Sequence, residues 1–491
     1  MNEIRDEIKK LEAVAQILEP GRKQREQMLQ QVAAYSQQYL EEISHSPANY
    51  PLVDGRGLYD SPITEEGIAI EEALALLQEN VDHSGITTTS GRFLGYIPGG
   101  GLFPSALGDY LAAVANRYSG VFWASPGATR MENMLLRWMA DVVGYSEKSA
   151  GNLTSGGSMA NLIAVVAGRD SCGIEGGLLP KSVIYLTEHA HHSVNKAIHL
   201  AGLKNCIQRR VPIDGRFRMD AGALCKAISD DRSAGLNPWL IIASAGSTNT
   251  GSVDPLPEIA EIAAANRLWF HVDGAYGAFF ALCPQGREAL TGMQHADTLV
   301  MDPHKTLFLP YGTGALLVKD GLQLFASENW SAAYMQDIAA ATADNIDELS
   351  PSDLSPELTK HFRGLRLWLP LKLFGVTPFR AALSEKILLA RYFHEKIQDT
   401  RSGSGRFEVG PYPDLSIVTY RYLPRRGDAD AFNERLTKRI QQDGRIFISS
   451  TRTDGKFVLR MAISSFRTHL SDIDQALDVL KWTAEELLEE E

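Results

Sequence analysis

Long hydrophobic runs are missing from this chain of 491 residues. None reaches the roughly 18 apolar residues that a membrane-spanning helix needs. The opening, Met1-Asn2-Glu3-Ile4-Arg5-Asp6-Glu7, is charged and lacks the apolar core of a secretory leader. Cysteine is scarce: Cys172, Cys206, Cys225 and Cys283 are scattered without a CxxC pair. That excludes a thiolate zinc site and reads as free thiols in a reducing compartment. A basic excess is missing as well, since 48 Lys+Arg against 60 Asp+Glu leave a net charge of −12. This is the wrong sign for a general nucleic-acid binder or for attraction to an anionic membrane. No internal repeat, low-complexity tract, basic helix-turn-helix or GxxxxGK[ST] loop is found, so neither a DNA-binding regulator nor a nucleoside triphosphate site is indicated. What remains is an ordinary globular composition, 44% hydrophobic and 22% charged, long enough for about three domain-sized units. The expectation is a cytoplasmic protein with neither nucleic acid nor membrane as a partner. Composition is silent on chemistry.

The pattern along the chain divides it in three. Ile4 to Leu18 and Arg25 to Ile43 carry apolar residues at mixed three and four spacing, which predicts helices. After a loop at Ser46–Pro62, Thr64 is placed to cap a helix over Glu65–Gln78. These helices are too few to enclose a core and suit an arm that packs on something else. The middle alternates short β-branched runs (Ser182–Thr187, Trp239–Ser244, Leu268–Asp273, Thr298–Met301, Gly314–Val318) with helical stretches such as Gly157–Arg169, His192–Ala201 and Pro257–Asn266. Alternation of this kind predicts a mostly parallel sheet covered by helices, with ligands at the carboxyl ends of its strands. From Gly375 a long helix (Ala381–Gln398) leads to strands at Leu415–Tyr420, Arg445–Ser450 and Lys456–Ile463, the pattern of a smaller α+β domain.

The chemistry-bearing residues fall at those strand ends. Lys305, in Asp302-Pro303-His304-Lys305-Thr306, directly follows a strand. A lysine in an apolar, partly buried site has a lowered pKa and suits Schiff-base formation with an aldehyde cofactor. Asp273 ends another strand, where a carboxylate either caps the turn Gly274-Ala275-Tyr276 or partners a protonated pyridine nitrogen. The separation 305 − 273 = 32 fits one strand–helix–strand crossover, so both side chains can enter one crevice. Thr154-Ser155-Gly156-Gly157-Ser158-Met159-Ala160-Asn161 precedes a helix and can form a phosphate cup from backbone N–H groups. Glu188-His189-Ala190-His191-His192-Ser193 has the wrong spacing for a metal site and reads as a ring stacking on a flat cofactor or as a polar loop. Ala245-Gly246-Ser247-Thr248-Asn249-Thr250-Gly251 offers hydroxyls at a further strand end.

In this order the motifs resemble the pyridoxal-phosphate-dependent group II amino-acid decarboxylases, the family of the aromatic-L-amino-acid, histidine, glutamate and diaminobutyrate decarboxylases. The resemblance runs from about Thr64 to Leu480 and is most specific at His271-Val272-Asp273-Gly274-Ala275-Tyr276 and Asp302-Pro303-His304-Lys305. It implies an α/β, aspartate-aminotransferase-like fold with a mostly parallel central sheet. The implied division is a helical arm over 1–90, a cofactor domain over 91–375 and a small α+β domain over 376–491. It implies pyridoxal 5'-phosphate as cofactor, no metal, and a homodimer with the active site at the interface. By resemblance Lys305 holds the cofactor covalently, Asp273 partners its ring nitrogen, His191 stacks on the ring, Ala275 underlies it and Thr248 lies near the ring hydroxyl. Gly157 and Ser158 match the phosphate turn, Asp302 a phosphate-side contact and His304 the histidine beside the lysine. Tyr334 matches the loop tyrosine that returns a proton to the substrate carbon, where phenylalanine goes with aldehyde formation. Phe122-Trp123-Ala124-Ser125-Pro126 and the helix holding Arg363 resemble pocket segments, and with Tyr96 and Pro98 they make up the expected substrate pocket. The implied activity is decarboxylation of an L-amino acid, aromatic by the clustering of Tyr96, Phe103, Phe122 and Trp123. Decarboxylation of an aliphatic or acidic amino acid, aldehyde synthesis and C–C lysis are the alternatives. The chain departs from many relatives in reading Ser90-Gly91 before Arg92-Phe93, in the small run Ile97-Pro98-Gly99-Gly100-Gly101, and in Asp302 where several carry Asn.

Overall fold

In the computed structural model, residues 2–97, 99–329, 348–399, 401–402 and 405–490 are described. They fall into two units, Met1–Ser90 and Gly91–Glu491. The first unit contains α1 (Asn2–Ala15), α2 (Arg22–Glu42), β1 (Asn49–Tyr50), α3 (Ile70–Leu77) and β2 (Gly85–Ile86). Strands β1 and β2 pair antiparallel. Among its described residues only Ile43 and Ala48 are buried apolar side chains, while Ile4, Ile8, Leu11 and Val14 of α1 are exposed. The helix expected from Glu65 starts only at Ile70, and Thr64 does not cap it: its hydroxyl donates to the Glu66 carbonyl. Gly67 follows the two glutamates, and its backbone freedom favours the bend over a helical turn.

The second unit opens with α4 (Phe103–Ala115) and α5 (Pro126–Val143). It continues β3 (Ala150–Thr154), α6 (Gly157–Ser171), β4 (Ser182–Leu186), α7 (His192–Leu200), β5 (Ile207–Arg210) and α8 (Ala221–Ser233). Then come β6 (Asn237–Ser244), α9 (Leu256–Asn266), β7 (Trp269–Asp273), α10 (Pro284–Ala289), β8 (Thr298–Met301), the single turn α11 (Pro303–Thr306), β9 (Gly314–Val318) and α12 (Gly321–Glu328). The seven strands form one sheet in the order β3-β9-β8-β7-β6-β4-β5, parallel except for β9, which runs against both its neighbours. Strands buried on both faces need continuous apolar runs, and Leu240–Ala243 and Leu299–Met301 provide them, all at 2% exposure or less. Because β4, β6, β7 and β8 are parallel, their carboxyl ends share one edge of the sheet.

The chain then forms α13 (Gly364–Phe374), α14 (Thr377–Asp399), β10 (Arg401–Ser402), β11 (Gly405–Val409), β12 (Ile417–Leu423), α15 (Ala429–Asp443), β13 (Ser449–Thr453), β14 (Lys456–Ala462) and α16 (Leu470–Glu489). The second sheet is antiparallel, in the order β10-β11-β12-β14-β13. It has its own core, in which Phe393 of α14, Tyr420 and Tyr422 of β12, Phe432 of α15 and Leu480 of α16 are buried. The strand expected over Arg445–Ser450 starts at Ser449, because Phe447 instead forms a bridge to Phe93. No helix among the described residues is long and apolar enough to cross a membrane.

Candidate functional site

One cavity of about 230 Å³ lies at the carboxyl edge of the large sheet. The start of α6 brings Gly157 and Ser158 to it, and the turn after β4 brings His191. Thr248 comes from the segment after β6, Asp273 and Ala275 from the end of β7, and Asp302, His304 and Lys305 from the turn after β8. Parallel strands joined by helices put these distant segments at one edge.

Lys305 Nζ lies 2.9 Å from Asp302 Oδ2, and the Asp302 carboxylate is 1% exposed. Burial disfavours the ammonium, but the carboxylates of Asp302 and Asp273 outweigh it, so the Lys305 pKa is raised. The expected lowering is therefore corrected, because the site is charged rather than apolar. Burial lowers the His304 pKa, and its Nδ1–H donates to the Thr313 carbonyl at 2.6 Å. The other Asp302 oxygen, Oδ1, has no hydrogen-bond partner among the described residues.

Asp273 is 9% exposed. Its Oδ1 accepts from the Ala275 N–H and its Oδ2 from Asn161 Nδ2, each at 3.1 Å. The turn-capping bond considered from sequence is thus present, and the remaining lone pairs stay available to a cation. His191 is the N-cap of α7, and its Nδ1 accepts from the Ser193 N–H. Burial lowers its pKa, which favours the neutral ring.

Thr248 is held from the second sheet. Buried Arg460 of β14 donates to the carbonyls of Thr248 and, at 2.7 Å, of Asn249. Tyr276 also lines the cavity, and its hydroxyl pairs with Ser416 Oγ at 2.7 Å. Gly246 sits at φ +97°, and a Cβ there would stand 2.7 Å from the Tyr276 ring.

The expected substrate-pocket residues are not gathered at this cavity. Tyr96 lies against Phe93 and Phe447. The Phe122 ring carries the Arg130 guanidinium 5.2 Å from its centroid. Trp123 is 82% exposed. Arg363 forms a two-pronged pair with Glu357 at 2.9 and 3.0 Å. Pro98 and Tyr334 lie outside the described residues. Sequence reading missed Asn161, Ser193 and Tyr276 as individual members of the cavity, and His271 behind it. The signal for Asn161 was its position one helical turn after Gly157, and for His271 its position two residues before Asp273 on the same strand face.

This donor set fits pyridoxal phosphate. Glycines 156 and 157 leave a cradle at the N-terminus of α6 that a side chain would fill: a Cβ at Gly157 would stand 2.8 Å from Asp302 Oδ2 and 3.2 Å from Ala275 Cβ. A helix of fifteen residues presents free N–H groups and a positive dipole end to a phosphate there. A carboxylate and a lysine, the partners for a ring nitrogen and an aldehyde, are in the same cavity.

Comparison with known proteins agrees. The family model of the pyridoxal-dependent decarboxylase conserved domain matches residues 64–423. An aromatic-L-amino-acid decarboxylase of Bacillus atrophaeus is 32% identical over 430 residues, covering 87% of this chain and 88% of that one. A phenylacetaldehyde synthase of Arabidopsis thaliana is 28% identical over 412 residues, covering 81% of this chain and 83% of its own. The crystal structure of Oryza sativa TDC with PLP and tryptamine superposes with a TM-score of 0.87 at 24% identity, covering 96% of this chain and 99% of that one. Sequence, fold and cavity thus lead to one assignment: the chain belongs to the pyridoxal-dependent decarboxylase family.

Proposed function

We propose that this enzyme decarboxylates an aromatic L-amino acid to the corresponding amine. The observation that carries the reading is the convergence of Lys305, Asp273 and His191 on one cavity. The aromatic preference rests on the 32% identity to the Bacillus atrophaeus aromatic-L-amino-acid decarboxylase.

Pyridoxal phosphate, when bound, supplies the electron sink for the pair left as the bond from Cα to the carboxylate breaks. Lys305 Nζ would hold the cofactor through its aldehyde. Gly157 and Ser158 hold its phosphate by the N-terminus of α6, with Asp302 and His304 beside them. Asp273 would keep a proton on the ring nitrogen, and His191 and Ala275 would pack against the ring. Thr248 contacts the ring hydroxyl. Tyr334 would supply the proton that substrate Cα takes up. Tyr96, Pro98, Phe122, Trp123 and Arg363 are assigned to the substrate side, contributed across a homodimer interface. On this reading residues 1–90 form the pairing arm, 91–375 the cofactor domain and 376–491 the small domain of a cytoplasmic enzyme.

A second reading, aldehyde synthesis, is favoured by the 28% identity to the phenylacetaldehyde synthase. Assaying carbon dioxide, amine, ammonia and aldehyde together separates the two. Equal carbon dioxide and amine from tryptophan, tyrosine or phenylalanine is the expected result, and ammonia equal to carbon dioxide would establish the second reading. Lys305→Ala is expected to lose both turnover and the visible band of lysine-bound cofactor. Retention of that band would remove Lys305 from its role.

A further inference from the structure

Four polar side chains run from the cavity wall into the interior. Asn161 and His271 are 1% exposed, Thr298 is fully buried and Ser193 is 3% exposed. His271 and Thr298 face each other across the parallel pair β7 and β8. Trp269 Nε1 lies 3.2 Å from Thr298 Oγ1, and Thr298 Oγ1 lies 2.9 Å from His271 Nδ1. His271 Nε2 lies 2.9 Å from Asn161 Oδ1. Asn161 Nδ2 lies 3.1 Å from both Asp273 Oδ2 and Ser193 Oγ. Ser193 Oγ lies 2.7 Å from His191 Nδ1.

With His271 neutral, donor and acceptor capacities give every bond one consistent direction. The Trp269 indole nitrogen only donates, so Thr298 accepts there, and it donates its own proton to His271 Nδ1 once the proton of that neutral ring is on Nε2. An ionised carboxylate only accepts, so the Asn161 NH₂ faces Asp273 and its oxygen faces His271, whose proton is then on Nε2. The second Asn161 hydrogen goes to Ser193 Oγ, and the Ser193 hydroxyl donates to His191 Nδ1, which is unprotonated. That nitrogen also receives the Ser193 N–H, which leaves the His191 proton on Nε2.

We propose that Asn161 is a positioning residue at the fork of a one-way hydrogen-bond chain, Trp269→Thr298→His271→Asn161, with one branch to Asp273 and the other through Ser193 to His191. The chain presents an N–H donor to Asp273 Oδ2 and keeps His191 a ring protonated on Nε2. Through it the group assigned to the ring nitrogen and the group assigned to the ring face share one proton arrangement. Burial pushes the His271 pKa down to about 4 despite the Asp273 charge, in keeping with a neutral ring. A half-satisfied polar network in a sheet core would cost more than an apolar one, whereas a fully paired one specifies a single arrangement.

The functional meaning of this chain rests on the roles proposed above for Asp273 and His191, but its proton positions are read independently of them. Solid-state ¹⁵N NMR of histidine-labelled holoenzyme at pH 7 reports each ring's protonated nitrogen. The two signals are assigned by their loss in His191→Gln and His271→Gln. Both rings are expected to be singly protonated on Nε2. Protonation on Nδ1, or on both nitrogens, at either position would overturn the proposal. In Ser193→Ala the His191 pattern is expected to change while that of His271 stays. An unchanged His191 pattern in that variant would also overturn it. Asn161→Leu is expected to weaken cofactor binding at least tenfold, and affinity within twofold of the parent enzyme would count against the fork. If the enzyme carries no lysine-bound cofactor at all, the reading of the cavity fails while the tautomers still stand or fall on their own.

Discussion

At the scale of single residues, the space at Gly157 decides how closely the cofactor approaches α6. Its missing Cβ would stand 2.8 Å from the Asp302 carboxylate, which is itself fixed by Lys305. Gly157→Ala therefore forces that pair apart, and overpacking of this kind costs about 1–3 kcal/mol. The expected result is cofactor binding weakened by about tenfold or more, read by absorbance titration, with the fold retained in circular dichroism. Unaltered affinity would move the phosphate away from this turn. His271 makes a prediction with a definite sign. Its folded pKa of about 4 lies below the unfolded value near 6.5, so the unfolded chain binds the proton more readily. Stability is then complete above about pH 6.5 and falls toward pH 4, by about 3 kcal/mol in all. Asp254 acts in the opposite sense over part of this window, since burial raises its pKa to about 6. Comparing urea unfolding of the parent enzyme with His271→Gln at both pH values isolates the histidine. The variant is expected to lose less stability on acidification, and equal losses would contradict the neutral buried ring. The position of Asp273 at a strand end was legible in the sequence because a buried run ending in an acid is rare. The raised pKa of Lys305 was not, since it depends on how far the Asp302 and Asp273 carboxylates outweigh burial, a balance that spacing does not set.

At the scale of elements, the segment before α13 is tied to α5 and β3 by a buried ion pair. Lys360 Nζ lies 2.7 Å from Glu132 Oε1 and 3.2 Å from Asn152 Oδ1, and both charged side chains are essentially inaccessible. Glu132 Oε1 also accepts from the Leu153 N–H, and Asn152 donates to the Pro351 carbonyl. Removing one charge from such a pair leaves the other buried and uncompensated, at about 3–5 kcal/mol. Lys360→Met is expected to lose that much in denaturant unfolding. The double variant Lys360→Met/Glu132→Gln should recover much of it, because glutamine keeps the bond to Leu153. A double variant as unstable as the single one would show that the cost is packing rather than charge. The same region shows what sequence patterning misses. β8 and β9 were legible as apolar, β-branched runs, but β3 reads Ala150-Gly151-Asn152-Leu153-Thr154, with small and polar residues of weak strand preference. It is a strand because it packs closely: a Cβ at Gly151 would stand 2.2 Å from the Leu316 carbonyl oxygen of its neighbour β9. Tertiary context supplied what local propensity lacks.

At the scale of the whole molecule, the surface left uncovered bears on assembly. Along α4, Phe103, Leu107, Tyr110, Leu111 and Val114 are all exposed. Their spacing of four, three, one and three places them on one helical face. The first unit has little apolar core of its own and exposes Ile4, Ile8, Leu11 and Val14 along α1. Monomeric proteins seldom leave apolar stripes of this extent in water. The proposed occupant is a second copy of the chain, because an isologous pairing covers the same stripe on both partners with one set of contacts. Trp123, at 82% exposure, would then be buried by the partner, which explains why a residue assigned to the substrate side lies away from its own cavity. Sedimentation equilibrium at micromolar concentration should return twice the chain mass for the parent enzyme. The double variant Leu107→Glu/Val114→Glu places two charges in the proposed contact. Unpaired buried charges of this kind cost several kcal/mol, so dissociation should be favoured by about a hundredfold or more. That variant should sediment as a monomer of unchanged circular dichroism and lose turnover of amino acid together with its partner. A monomeric parent enzyme would remove the interface. A fully active monomeric variant would leave the dimer in place but remove Trp123 from the substrate side.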